Sequence, residues 1–108
     1  MNQTDYEIRT EERGLRNLLV LTGQVGPDAA NRLRAEAERL AAGAGAVDLD
    51  WREAEMLSAS SLQVLVALKI SLSKRGRTLQ VSGDNPNLRR LLDLAGLSSM
   101  FPCRKLAE

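Results

Sequence analysis

Short apolar runs of strand length alternate along this chain with longer stretches whose apolar residues recur every three or four positions. That alternation restricts the fold more than any other feature. Leu15 to Leu21, Ala46 to Leu49 and Thr78 to Ser82 read as strands, and each leads towards a helical stretch. The helices run from Pro27-Asp28 to about Ala42, from Ala59 or Ser60 to about Lys74, and from Asn85-Pro86 to Ala95. A weaker strand, Tyr6 to Thr10, precedes them, with Tyr6 and Ile8 on one face. Strands joined through helices of this length must cross over to pair side by side. The order β-β-α-β-α-β-α therefore predicts an α/β fold: a mostly parallel sheet of four to five strands with helices packed on it.

Local signals set the boundaries. Gly14 and Gly23 bracket the second strand as turn residues, and Asp28 is placed to cap the first helix. In that helix Ala30, Leu33, Ala37, Leu40 and Ala41 share a face, and Gly43 and Gly45 end it. Trp51 to Glu55 reads as a polar connection with Trp51 as an edge anchor, before Met56-Leu57 return the chain to apolar ground. The second helix is apolar on more than one side, the pattern of a sandwiched helix, and Arg75-Gly76 closes it. Asn85 suits the N-cap and Pro86 the first helical position of the third, where Leu88, Leu91, Leu92 and Ala95 line one face and Gly96 ends the run. Leu97 to Phe101 reads as a short turn of helix.

With 108 residues the expectation is one domain spanning 1–108, with its core at about 6–101 and a polar tail at 102–108. Aromatics make up 3%, so Leu, Val and Ala must fill the interior. The longest apolar runs, such as Val64 to Leu68, are too short to span a bilayer, and the polar, acidic start lacks the pattern of a signal peptide. The single Cys103 has no partner for an internal disulfide and suits a reducing compartment, so a cytoplasmic location is expected. The chain carries +1 overall, but residues 1–65 carry −4 and residues 66–108 carry +5. The bases of the second half are scattered over several elements with almost no aromatics between them. That reads as a solvated face, or one that meets an acidic protein, more than as a nucleic-acid surface.

Catalytic chemistry finds little support. The chain has no histidine, which removes Ser-His-Asp and Cys-His pairs and Cys/His metal clusters, and it has no phosphate-binding glycine loop. No cofactor is expected. Asp48 and Asp50 share a strand face and are a weak candidate cation pair, but the reading assigns no metal. Cys103 sits beside Arg104 and Lys105, a setting that would lower its pKa, though without a base to activate it. Met56 and Met100 read as core or rim fillers.

One segment stands apart: the small-residue turn Ser58-Ala59-Ser60-Ser61 before Leu62 and the apolar run to Leu68. A helix start carries unpartnered N–H groups and a partial positive charge, so hydroxyls there cap it and a phosphate would be stabilised. Ser58 is the natural N-cap, and Ser60 a first-turn serine facing water.

Four segments together, Ala46-Val47-Asp48-Leu49-Asp50, Leu57 to Leu65, Arg75 to Val81 and Asn85-Pro86-Asn87 through Ala95-Gly96-Leu97, resemble a STAS domain, the family of anti-sigma factor antagonists and of the cytoplasmic domains of sulfate transporters. The resemblance covers nearly the whole chain. It implies a non-enzymatic bacterial signalling protein that docks on a serine kinase-type anti-sigma factor or similar partner through Ser58, Ala59, Ser60, Ser61 and Leu62. In the family this turn reads Asp-Ser-Ser/Thr-Gly-Leu, and the serine after the Asp is phosphorylated. Leu62 sets the register: Ser58 falls at the Asp, Ala59 at the phosphoacceptor and Ser61 at the Gly. The family's Gly-Glu-Ile/Leu-Asp corresponds to Gly23-Gln24-Val25-Gly26, without its acids. The resemblance thus implies a partner bound without phospho-control, or phosphorylation displaced to Ser60 or, second, Ser58. It also implies other STAS roles, as subunit of a membrane lipid-transport ATPase complex or of a chemosensory assembly, or as a small-ligand sensor.

Overall fold

The computed structural model describes residues 5–103, in which five strands and three helices follow one another with short turns of 3-10 helix. Strands β1 (Tyr6–Arg13) and β2 (Arg16–Val25) form an antiparallel hairpin. A 3-10 turn, Pro27–Ala29, leads into α1 (Ala30–Ala42). Then come β3 (Ala46–Asp50), β4 (Ala54–Leu57), α2 (Ala59–Lys74), β5 (Leu79–Gly83) and α3 (Pro86–Ala95), with a last 3-10 turn at Ser98–Met100. The class expected from the alternation is the class observed: apart from the hairpin, every strand pair is parallel.

The fifth strand comes from the segment read as a polar connection. β3 pairs with β2 along Arg16–Val20, and β4 takes up the same partner again along Gly23–Val25. They are two halves of one interrupted strand. In the break, Trp51 is wholly buried, its ring 5.7 Å from that of Phe101, so it is a core residue and not an edge anchor. Ala54 and Leu57 are buried while Glu55 and Met56 are exposed, a pattern too irregular to read as a strand from sequence. Gly23 sits where β2 shifts register between its two partners. Its φ is +77°, and a Cβ there would collide with the Asp5 carbonyl, so no other residue fits.

The crossovers β2-α1-β3 and β4-α2-β5 step the same way across the sheet, and right-handedness then puts both helices on one face. Leu19 and Leu21 of β2, Val47 and Leu49 of β3, and Leu79 and Val81 of β5 point into a single core with Leu33 of α1, Leu65, Leu68 and Leu72 of α2 and Leu92 of α3. The opposite face is polar, tied by Arg16 to Asp48 at 2.8 and 2.6 Å and by Arg52 to Asp50 at 3.1 and 2.9 Å.

Helix ends depart from expectation in one place. Asp28 makes no capping bond; the 3-10 turn carries the chain into α1 instead, and Ala29 stands at the N-cap. At the other end of α1, Arg77 donates to the Leu40, Ala41 and Gly45 carbonyls, a cation against the negative end of the helix. On α3 the buried stripe is narrower than the four residues expected. Leu88 and Leu92 are buried but Leu91 and Ala95 are exposed, because a helix beside the last strand covers the core with one edge only.

Asn85 does cap α3, and does more. Its Oδ1 accepts from Asn87 and Leu88 N–H, while its Nδ2 donates to the carbonyls of Trp51, Arg52 and Ala54 at 3.1, 3.3 and 2.8 Å. Replacing it by alanine strands a helix end and takes a donor from all three carbonyls, of which that of Trp51 keeps the Ala54 N–H. Asn85→Ala is expected to cost about 2–4 kcal/mol, read as a lower urea midpoint at unchanged m. Asn85→Asp keeps the cap but turns a carboxylate towards three carbonyls, and should recover little of that loss.

Candidate functional site

Parallel sheets present their binding sites at the carboxyl ends of the strands. Here β4 ends at Leu57, and the next residue begins the Ser58–Leu62 turn. Ser58 is held from both sides. Its N–H donates to the Val25 carbonyl at the end of β2 (2.9 Å), and its Oγ accepts from Ser61 N–H (3.2 Å), the N-cap bond expected. The Ser61 hydroxyl is fully buried and donates to the Gly26 carbonyl at 3.1 Å. The start of α2 is thereby latched to the end of β2. Leu62 is buried beneath it.

These bonds sort the hydroxyls. Ser61 is inside, and Ser58 is half-buried with its oxygen committed to the cap. Ser60 is exposed, its Oγ 3.2 Å from that of Ser58. Ala59, also exposed, has no hydroxyl to offer. All five residues named from sequence lie together, three of them at the surface and two forming its support. Among the described residues every positive φ belongs to a glycine, so Ser61 is an ordinary helical residue where the family pattern has Gly.

Two grooves flank the turn along α2. One, about 350 Å³, runs between α1 and α2 and is lined by Arg34 and Glu38 on one wall and Ser60, Gln63 and Ala67 on the other. The second, about 440 Å³, is almost wholly apolar, with Ala59, Val66, Ala67 and Ile70 facing Leu97. Ile70 is 44% exposed. The sandwiched reading of α2 holds for its buried side; this exposed apolar stripe was hidden within a helix that is apolar nearly all round.

The acids and the cysteine have structural partners. Asp48 and Asp50, weighed above as a cation pair, each face an arginine: Arg16 and Arg52 respectively. Burial pushes the Asp50 carboxyl up, but hydrogen bonds from Arg52 and the charges of Arg52 and Arg9 outweigh it and leave it below its ordinary value. Among the described residues no group of three or more His, Cys, Asp or Glu side chains is arranged to hold a metal. Cys103 lies at the sheet edge, bridged to Val81, and its thiol donates to Asp84 Oδ2 at 3.3 Å. Burial and that bond raise its pKa, against the lowering expected from Arg104 and Lys105, which lie outside the described residues. It is not an activated thiol.

Asp84 gathers the cluster that sequence reading missed. It accepts from Trp51 Nε1 (3.3 Å), Arg89 Nη2 (3.3 Å) and Cys103. Arg89 also reaches the Ser98 and Phe101 carbonyls, pinning the last 3-10 turn under α3. Nothing in the spacing of Trp51, Asp84, Arg89 and Cys103 announces this; topology brings them together. Of the bases that make the second half positive, Lys69, Arg75, Arg77 and Arg89 all donate to backbone carbonyls. They are internal donors more than a phosphate-binding surface.

With this geometry in hand, comparison supplies the class. The chain belongs to the STAS family: the family model described as "Mlab, STAS domain" matches residues 8–102. In fold it is similar to an anti-sigma factor antagonist from Mycobacterium paratuberculosis, at 22% identity and a TM-score of 0.81, over 98% of this chain and 92% of that one. It is similar too to SpoIIAA, the Bacillus cell fate determinant. The unphosphorylated anti-sigma factor antagonist superposes with a TM-score of 0.77 at 14% identity, over 92% of this chain and 89% of that one. The phosphorylated form gives 0.73 at 14%, over 92% of each. A search of curated proteins finds no match. Among the described residues no helix is long and apolar enough to cross a membrane.

Two predictions follow from the turn and the Asp84 cluster. Aspartate caps as well as serine, so Ser58→Asp should leave thermal stability near wild type, while Ser58→Ala loses about 1 kcal/mol. Ser61→Ala, which leaves the buried Gly26 carbonyl with the Ala29 N–H as its remaining donor, should lose about 0.5–1.5 kcal/mol in the same melts. The second concerns acid. Burial raises the Asp84 carboxyl, but the Asn85 N–H and the bonds from Arg89, Cys103 and Trp51 outweigh it, and its folded pKa lies below the ordinary value. The unfolded chain thus binds this proton more tightly. Asp84's contribution is full above an ordinary carboxylate pKa of about 4 and is lost as pH falls through the lower folded value. Urea unfolding against pH should show a shallower acid limb in Asp84→Asn than in wild type.

Proposed function

We propose that this protein is a non-enzymatic bacterial STAS regulator that works in the cytoplasm by docking on a protein partner through the Ser58–Leu62 turn. The partner is a serine kinase-type anti-sigma factor or a comparable signalling protein. One observation carries the reading: the turn presents only Ala59 and Ser60 outward, on a latched base, between two grooves along α2. Small side chains there let a partner's backbone approach closely. The absence of histidine from the chain and the engagement of Asp48, Asp50 and Cys103 by other residues support a role without catalysis. The use of four of the six described second-half bases, Lys69, Arg75, Arg77 and Arg89, as internal donors supports a protein partner over a nucleic acid.

Any phosphate added to the turn would weaken docking by charge and bulk. With Ala59 at the family acceptor position, Ser60 is the favoured acceptor, and Ser58, whose oxygen caps α2, is the second. Ala59 also favours a second reading: a STAS subunit that holds a membrane lipid-transport ATPase complex, or a chemosensory assembly, together without ever being phosphorylated.

A pull-down of the anti-sigma factor kinase from the same genome tests the interface. Ser60→Asp and Ser58→Asp should each lower its recovery; full recovery in both would remove the turn as the docking site. Incubation with kinase and ATP, followed by intact-mass measurement, separates the readings. One added phosphate, lost in Ser60→Ala, is the result expected of a switch; an unchanged mass favours the permanent subunit.

A further inference from the structure

The outward residues of α2 form a seam that the turn alone does not explain. Exposed Ala59, Gln63, Ile70 and Lys74, with half-buried Val66 among them, follow one another at steps of four, three, four and four, the spacing with which one helix receives another. Ala67 lies within this seam and lines the grooves on both sides of it. The run from Ala59 to Lys74 is about 24 Å long at the helical rise.

Its charge is one-sided. Between Glu55 and Asp84 the chain contains no acid and four bases. At one end of the seam is the α2 N-terminus, positive by its dipole and with Ala59 and Ser60 N–H groups that have no acceptor within the helix. At the other end is Lys74, exposed and unpaired among the described residues, as is Arg34 on the wall of the α1 groove. Glu38 is the one acid lining either groove. A second copy of this chain would bring Lys74 and positive helix ends against their own kind, so self-association is disfavoured.

Resting on the partner-binding reading above, we infer that α2 along its whole length receives an amphipathic helix of the partner, about four turns long, with an apolar seam flanked by acidic side chains. Small residues at Ala59 and Ala67 let the two helices close, Ile70 and Leu97 supply the apolar contact, and Lys74 and the α2 N-terminus select for acid.

Two synthetic four-turn peptides test this, sharing one leucine seam and differing only in glutamate or lysine flanks. Fluorescence anisotropy against the intact protein should show the glutamate peptide binding about tenfold tighter at low salt, with the gap narrowing at high salt. Lys74→Glu should reduce that preference. Ala67→Arg should abolish binding although it adds positive charge, because it fills the seam; circular dichroism melts check that this exposed substitution leaves the fold intact. Equal binding of the two peptides, binding of neither, or binding that survives Ala67→Arg would overturn the inference. If the kinase pull-down still depends on Ser58 and Ser60 while the peptides do not discriminate, this inference falls and the docking turn stands. If the pull-down is indifferent to the turn while the peptides discriminate, α2 remains a helix-binding surface and the turn reading falls.

Discussion

A single buried amide joins the parts of this molecule that parallel pairing alone leaves separate. The strand in the middle of the sheet is broken between Asp50 and Ala54, and a break exposes carbonyls with no ladder partner. Asn85 supplies donors to three of them from one side chain and uses its oxygen to start α3. Without such a group the break would need water, in a place where Trp51 and Phe101 have excluded it. The interruption is tolerable because the residue that closes it is also a helix cap, so one buried polar group satisfies two structural needs.

The break in turn decides where the candidate site lies. An unbroken strand would run straight past the end of β3. Shifted by the interruption, the chain re-enters as β4 against the last residues of β2 and leaves the sheet at Leu57, level with Val25. Ser58 can then bond the Val25 carbonyl, and Ser61 the Gly26 carbonyl, only because those two strand ends are side by side. The Ser58–Leu62 turn is held through its neighbours more than through its own composition, which is largely small residues.

What sequence reveals here follows the reach of each signal. The helices were legible because their periodicity and caps are local: Asn85-Pro86 and Ser58 state their roles within three residues. So was the inward pointing of Leu79 and Val81. β4 was not legible, because Ala54-Glu55-Met56-Leu57 has no alternation and is a strand only by virtue of β2 beside it. Trp51 was misread for the same reason. Its neighbours Asp50 and Arg52 are polar because they pair with each other, which makes the segment look exposed while the indole points inward. Asp28 had the right type for a cap, but Pro27 permits a 3-10 entry that makes a cap unnecessary. The five residues proposed from the pattern sort into two inside and three outside, and that partition needed the Val25 and Gly26 carbonyls that only the fold brings near.

That partition separates the residues that hold the turn from those it presents. A glycine at the position of Ser61 would remove the latch to the Gly26 carbonyl, which would keep the Ala29 N–H alone, and an alanine at Ser58 would leave the Ser61 N–H without its acceptor. In this chain the half-buried Ser58 and the buried Ser61 are therefore tied to the architecture by their side-chain bonds. Ala59 and Ser60 carry no such obligation, since neither side chain bonds to the backbone of the described residues. Changes at these two positions alter what a partner meets without altering what holds α2 in place. A fold built this way can lack a hydroxyl at Ala59 and keep the shape of the turn, because the bonds that hold the turn reside in other residues.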